Sequence, residues 1–272
     1  MKSPHLRSAW IGLAVALVMA PSAPAEPNPV DFTEAALPEG PLASLPGWKR
    51  NVQAPANANF VLKPGAGLEL TDNTGGTHAV AYAFYFDPET PLGRDSFDAG
   101  MPVSTTANFV IKQQPEPQKG RVLGLGWGLF LPVGLNNLPF FAEFARDADA
   151  GGYRLRFVKA DEKTRVEGEG VLGVPAEALG LGPDDAESDP LQLSFTLTNL
   201  GEKTDWESVT MLTNLKTKKT FVLKNAIQAP GVYKTDDLLR GIVNLRRAGE
   251  DGLSSVVVTA IDAEPAVDPA AQ

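Results

Sequence analysis

Carboxylates are the groups with which this sequence could carry out acid–base chemistry. The chain has 272 residues, no cysteine and only two histidines, His5 and His78. Without cysteine there is no disulfide, thiolate nucleophile, zinc–thiolate site or iron–sulfur cluster. His78 follows a glycine-rich turn, and no Gly-x-Ser-x-Gly elbow accompanies it. We therefore interpret His78 as a strand-end histidine and predict no catalytic residue.

Two of the acid pairs with i, i+2 spacing are weighed as catalytic candidates, because that spacing places both side chains on one face of a strand. Glu187-Ser188-Asp189 is followed at once by Pro190, and residues 167–169 (EGE) lie among glycines. A glycosidase needs two carboxyl groups about 5–5.5 Å apart for retention or about 6.5–9.5 Å apart for inversion. The flanking glycines favour a solvated sheet edge over a catalytic pair for residues 167–169.

Two acidic loops offer the oxygen ligands that calcium prefers. Residues 147–152 begin as an EF-hand loop does, but Val158 stands where that loop needs a bidentate glutamate. A hairpin turn is the prediction there. Residues 184–189 (DDAESD) place four carboxylates in six positions. We predict a solvated loop, no metal site and no cofactor, with calcium as the alternative at this loop.

Sugar binding needs an exposed aromatic platform beside planar hydrogen-bonding groups. Trp48 and Trp127 lie in apolar surroundings, which predicts core positions for both. Trp206, with Asp205 before it, follows the polar segment 201–204, and Tyr233 follows Pro-Gly-Val. Trp206, Asp205 and Tyr233 are therefore the predicted ligand-binding residues, and packing of each ring under its own loop is the alternative.

The elements that must position these residues are β-strands. Residues 191–197 (LQLSFTL) and 153–158 (YRLRFV) alternate between apolar and polar side chains, as strands with one buried face do. Residues 78–86 are apolar on both faces, which is typical of a central strand. About a dozen such segments with almost no helical pattern predict an all-β fold, an antiparallel two-sheet sandwich.

One predicted strand, 123–131 (LGLGWGLFL), carries glycine at every second position. Leu125 and Trp127 fall on one face, while Gly124, Gly126 and Gly128 fall on the other. Glycine is unfavourable in strands, so three on one face indicate that another backbone or a ligand approaches closely. A bulky segment packed over the strand and a groove floor cleared of side chains both satisfy this pattern.

The ends of the chain predict export. Residues 1–25 combine Lys2 and Arg7 with an apolar run of about a dozen residues and a small-residue Ala-Pro-Ala ending, as a cleaved signal peptide does. We expect one domain over residues 26–263, a disordered tail over 264–272, and a secreted or periplasmic protein without membrane insertion after signal removal. The formal net charge of −9 argues against a nucleic-acid partner.

The sequence resembles secreted bacterial proteins with a concanavalin A-like, or laminin G-like, jelly roll. The residues that carry the resemblance are the opening Leu45-Pro46-Gly47-Trp48, Gly67-Leu68-Glu69-Leu70, the aromatic strand at 82–86, Asn108-Phe109-Val110-Ile111, Gly126-Trp127-Gly128-Leu129 and the closing Val256-Val257-Val258. Laminarinase-like members carry Glu-x-Asp-x-x-Glu on a strand. Here Glu187-x-Asp189 is followed by Gln192, so the acid/base carboxyl that the resemblance implies is missing.

Together these patterns predict an exported, non-catalytic module that binds a glycan or another extracellular polymer. A polysaccharide-degrading enzyme with an atypical carboxylate pair is the first alternative. A structural or adhesive protein of the cell envelope is the second.

Overall fold

The chain folds into β-strands that form two antiparallel sheets. The computed structural model describes residues 30–45, 48–51, 59–71, 78–85, 100, 102–112, 120–129, 140–147, 152–159, 165–168, 170–201, 205–228, 241–249 and 255–265. Two single-turn 3₁₀ helices, Leu42–Ser44 and Ala176–Leu179, accompany the strands. Within the described residues, no helix is long and apolar enough to cross a membrane.

Seventeen strands, numbered in chain order, make up the described part of the fold. Their bounds are β1 Val30–Asp31, β2 Gly40–Pro41, β3 Trp48–Asn51, β4 Asn59–Lys63, β5 Gly67–Thr71, β6 His78–Tyr85, β7 Pro102–Lys112, β8 Gly120–Leu129, β9 Phe140–Asp147, β10 Gly152–Lys159, β11 Arg165–Gly168, β12 Val171–Val174, β13 Leu191–Asn199, β14 Asp205–Asn214, β15 Thr220–Gln228, β16 Gly241–Gly249 and β17 Ser255–Pro265.

Ten strands form one sheet and seven form the other. The larger sheet has the order β11-β15-β14-β13-β7-β17-β5-β4-β2, with β1 paired to β17. The smaller sheet has the order β12-β10-β9-β8-β16-β6-β3. Every strand pair is antiparallel. The predicted all-β antiparallel sandwich is therefore confirmed.

The core lies between the two sheets, because each strand turns its apolar residues inward. In β13, Leu191, Leu193, Phe195 and Leu197 are buried, and the residues between them are half-buried. Burying one such side chain contributes about 1.5–3 kcal/mol. Aromatic rings join the sheets: the ring centroids of Phe157 and Phe195 lie 6.5 Å apart. The period-two pattern of the sequence thus selects the face that each strand buries.

The closing strand pairs back near the start of the chain, as predicted. Val30 lies opposite Ile261 in the β1–β17 pair, and β17 also pairs with β5 and β7. Strand β17 continues to Pro265, which is two residues past the predicted domain end at 263. The predicted signal peptide lies outside the described residues, as does the rest of the predicted tail.

The structure has more strands than the sequence predicts. The extra ones are short: β1 and β2 have two residues each, and β11 and β12 have four residues each. Strands β11 and β12 belong to different sheets, and Gly170, with a φ of 64°, lies between them. A strand of two residues is too short to show a hydrophobic period, and the passage of the chain from one sheet to the other has no hydrophobic period of its own. The hydrophobic pattern of the sequence therefore predicts neither feature.

Candidate functional site

The outward face of the seven-stranded sheet contains Gly124, Gly126 and Gly128 of β8, and we call it the glycine face. On β10, Tyr153, Leu155 and Phe157 are buried toward the core, so Arg154 and Arg156 between them belong to the outward face. This is the alternation that the sequence predicts for residues 153–158.

Three glycines on β8 occupy alternate positions of the glycine face. Gly124 lies opposite Glu143 on β9, and Gly126 lies opposite Phe141. Gly128 is the next position of the same parity and pairs with Ile242 on β16. Strand β8 is the central strand of the seven, so the glycines form a strip without side chains along the middle of the sheet. The register therefore places the three glycines on one face of the sheet, as their alternate spacing predicts.

A buried ion pair lies beside the glycine strip. The Nε and Nη2 groups of Arg156 donate hydrogen bonds to the Glu143 carboxylate at 3.1, 3.0 and 2.9 Å. The Glu143 side chain is 2% exposed and that of Arg156 is 28% exposed. A carboxylate buried to this extent needs such a fork, because an unpaired buried charge is strongly disfavoured. The pair holds the guanidinium plane in one orientation.

The sequence contains the signal for this pair, although the predicted site residues do not include it. Alternation places Arg156 on the outward side of a half-buried strand, and Glu143 lies in β9. The hydrophobic pattern does not predict the register between β9 and β10. Arg156 lies opposite Glu143 because these two strands form a hairpin that closes between Asp147 and Gly152. That hairpin is also the predicted structure for the EF-hand-like segment.

Of the three predicted ligand-binding residues, two can be placed. Trp206 lies in β14 of the other sheet, opposite Asn199, and is 2% exposed. The expectation of an exposed ring at Trp206 is therefore wrong, because its strand position faces the core between the sheets. Asp205 begins β14 and is half-buried, and its carbonyl accepts a hydrogen bond from the Leu200 amide at 3.0 Å. Tyr233 lies outside the described residues, so ligand binding by Asp205 and Tyr233 stays a prediction.

The acidic loop at residues 184–189 directs its carboxylates to protein groups. Asp189 accepts hydrogen bonds from Lys216 Nζ at 2.7 Å and Asn214 Nδ2 at 3.0 Å. The Lys216 hydrogen bond, followed by that of Asn214, holds the pKa of Asp189 below its usual range. Asp185 Oδ2 accepts the Gly182 amide at 2.6 Å. The Asp189 hydrogen bonds join the loop to the end of β14 and the turn after it, and the Asp185 hydrogen bond lies within the loop.

The described residues contain no group of three or more histidine, aspartate or glutamate side chains that could hold a metal ion. The loop also needs Gly180, whose φ is 74°, because a Cβ there would lie 2.5 Å from the Asp189 carboxyl group. Close packing of the loop on itself thus accounts for Asp189 and Asp185 without a cation.

The other acid pair lies at a sheet edge. Glu167 and Gly168 are exposed in β11, the outermost strand of the ten-stranded sheet, and Glu169 lies outside the described residues. The solvated-edge prediction is confirmed for Glu167 and Gly168.

No protein-family model matches the sequence, and no curated protein matches it. Solved structures do resemble the chain. One is lectin I-B4 from Griffonia simplicifolia in its metal-free form, with a TM-score of 0.48 and 10% identity, covering 80% of this chain and 92% of the lectin. Another is lectin II from Ulex europaeus, with a TM-score of 0.43 and 10% identity, covering 82% of this chain and 94% of the lectin.

A third is an engineered glycoside hydrolase of family GH43 with endo-xylanase and exo-arabinofuranosidase activity. Its TM-score is 0.48 and its identity 13%, and the match covers 91% of this chain and 42% of the hydrolase. At these identities no site residue passes from either class of protein to this chain.

Proposed function

We propose that this protein is a non-catalytic module that binds a polysaccharide along the glycine face. The observation that carries the proposal is the glycine strip: Gly124, Gly126 and Gly128 leave a floor without side chains along the central strand, and the Glu143–Arg156 pair borders it. A binding site for an extended polymer needs such a trough, with fixed polar groups that set the orientation of the ligand. The predicted signal peptide adds export, to the periplasm or the medium, to this proposal.

Hydrolysis is the second candidate, and the described acids of the glycine face disfavour it. Both oxygens of the Glu143 carboxylate accept hydrogen bonds from the Arg156 guanidinium, so this acid is engaged in an ion pair. The other acid on β9 of the same parity is Asp147, four residues away. Four residues of strand span about 13 Å. That separation exceeds the roughly 5–9.5 Å over which two carboxyl groups cleave a glycosidic bond.

Two substitutions, one on the strip and one on the outward face of the other sheet, test the proposal. Gly126→Val places a branched side chain on the floor of the strip. Ala226→Val is the control, because Ala226 is exposed on β15 of the ten-stranded sheet. Affinity electrophoresis and calorimetry against a panel of neutral and charged polysaccharides measure binding, and the melting temperature confirms folding.

We expect at least one polysaccharide to bind the full chain, Gly126→Val to weaken that binding tenfold or more, and Ala226→Val to leave it unchanged. If Gly126→Val does not fold, Gly126→Ser supplies the smaller obstruction, with an expected loss of threefold or more. The absence of binding across the panel, or unchanged binding by the folded Gly126 variant, contradicts the proposal. Release of new reducing ends from any polysaccharide in the panel favours the hydrolase instead.

A further inference from the structure

Four arginines occupy strand positions on the glycine face, in a protein whose formal net charge is −9. They are Arg121 on β8, Arg154 and Arg156 on β10, and Arg246 on β16. Excess acid elsewhere makes this concentration of cations a local feature and not a consequence of composition. A local cluster of one sign attracts ligands of the opposite sign to that surface.

The strand register arranges the arginines in two neighbouring rows that cross the strip. One row runs Arg154, Ala145, Arg121, and the next runs Arg156, Glu143, Gly124, Arg246. Neighbouring strands lie about 4.8 Å apart, so the backbones of Arg156 and Arg246 are separated by about 14 Å. Arg154 and Arg156 lie about 7 Å apart along their strand. The cationic positions therefore stand on both sides of the glycine strip.

Among the described strand positions of this face, few acids oppose the arginines. Glu143 is one, and it is already paired with Arg156. Asp147 is the other, at the end of β9. Lys49 on β3 lies opposite Ala83 and adds a further basic position. Basic positions thus outnumber acidic ones even after Glu143 is counted.

The geometry of Arg156 is suited to binding an anion. The Nε and Nη2 groups of Arg156 donate hydrogen bonds to Glu143, while the Nη1 group of Arg156 makes no hydrogen bond within the described part of the chain. A guanidinium presents its N–H groups in a rigid fork that matches carboxylate, sulfate and phosphate groups. Because Glu143 already fixes the guanidinium plane of Arg156, the Arg156 side chain loses little conformational freedom when a second anion binds.

We propose that the glycine face selects an anionic polysaccharide, one whose sugars bear carboxylate or sulfate groups, and that Arg154 and Arg156 contact those groups. This inference rests on the proposed polysaccharide binding and adds the chemical class of the ligand. A nucleic acid shares the negative charge and is included below as a competing outcome.

The test compares charged and neutral forms of the same polymers. Polygalacturonate and its methyl ester differ in the carboxylate, and dextran sulfate and dextran differ in the sulfate, so the two pairs separate the two anions. A 30-base DNA strand is the third arm. Binding to the full chain is measured by calorimetry at about 20 mM and 200 mM NaCl, since screening weakens a charge-driven interaction.

Matched triple variants assign the binding to one face. Glu143→Gln with Arg154→Gln and Arg156→Gln removes an ion pair and a neighbouring cation from the glycine face. Glu69→Gln with Lys63→Gln and Lys224→Gln removes the same charges from the ten-stranded sheet, where Lys63 pairs with Glu69. We expect the first variant to weaken polyanion binding tenfold or more and the second to leave it within twofold. If the first variant does not fold, Arg154→Gln against Lys224→Gln carries the test, with an expected threefold loss.

Four outcomes decide between the proposals. Binding of one charged polymer but not its neutral form, lost in the glycine-face variant and weakened by salt, supports the inference and identifies the anion. Equal binding of charged and neutral forms overturns the anionic selectivity and leaves polysaccharide binding standing. No binding of any polysaccharide overturns both. DNA binding as tight as that of the polysaccharides, lost in the same variant, overturns the polysaccharide assignment.

Discussion

The two outward faces of the sandwich differ in charge. Strand positions on the glycine face are mainly basic, with Lys49, Arg121, Arg154, Arg156 and Arg246 against Glu143 and Asp147. Strand positions on the outward face of the ten-stranded sheet are mainly acidic, with Asp31, Glu69, Glu167, Asp205, Glu207, Asp262 and Glu264 against Lys63, Lys112, Arg165 and Lys224. A single net charge for the chain conceals this division.

The faces also differ in how their polar groups are used. On the ten-stranded sheet, side chains bond to one another across the strands: Ser104 and Thr196 hydroxyls lie 3.0 Å apart, and Gln192 Nε2 donates to Asn108 Oδ1 at 3.0 Å. The glycine face has no side chains on its central strip and holds its described charge pair at the border. A face whose polar groups already satisfy one another offers less to a ligand.

The largest expected effect is the loss of stability when the ion pair on each face is removed. Glu143→Gln removes the charge that neutralises a partly buried Arg156, and we expect the free energy of unfolding to fall by about 2 kcal/mol. Glu69→Gln on the other face removes the partner of Lys63, which is 52% exposed, and we expect a loss below about 0.5 kcal/mol. Urea denaturation measures both. Equal losses would show that the two faces do not differ in the burial of their charges.

A smaller difference in stability is expected between variants that remove a threonine hydroxyl from the inward or the outward side of the ten-stranded sheet. Thr210 faces the core, and its buried Oγ1 has no hydrogen-bond partner in the described part of the chain. Thr210→Val therefore removes an uncompensated polar group, and we expect stabilisation by about 1 kcal/mol.

Thr196→Val is the control for that substitution, because the Thr196 hydroxyl is paired with Ser104 on the outward face. We expect it to leave stability unchanged or slightly lower. Thermal unfolding followed by calorimetry compares the two variants. Destabilisation by Thr210→Val would mean that its hydroxyl is satisfied in solution.

The smallest effect is a pH dependence at the loop that ends beside the ten-stranded sheet. Lys216 and Asn214 lower the pKa of Asp189 in the folded protein, and Asp189 raises the pKa of Lys216. A lowered carboxyl pKa contributes stability above the unfolded value of about 3.9, which is lost as the pH falls through the folded pKa. We expect Asp189→Asn to be less stable than the native chain at pH 7, and the difference in stability to disappear as the pH falls through the folded pKa of Asp189. Urea denaturation at pH 7 and at successively lower pH checks this, and a difference that persists in acid would contradict it.

Sequence pattern predicts the elements of this protein better than its site. The alternation in 153–158 and 191–197 identifies both the strands and their buried faces, because a period of two follows from strand geometry. It also singles out Gly124, Gly126 and Gly128. It is wrong about the exposure of Trp206, because the polar segment before that residue ends where β14 begins, and the strand parity turns the ring inward.

The sequence by itself determined that this chain forms antiparallel sheets, which side of each strand is apolar, and that its chemistry is restricted to carboxylates, amides, hydroxyls and cations. Only the tertiary structure decided which charges become neighbours. Glu143 and Arg156 are 13 residues apart, and Arg246 is 90 residues from Arg156, yet one cross-strand row contains all three. The physical reason is that strand order and register are set by burial of the inward faces as a whole. The outward residues follow that register, so a basic face arises in an acidic protein.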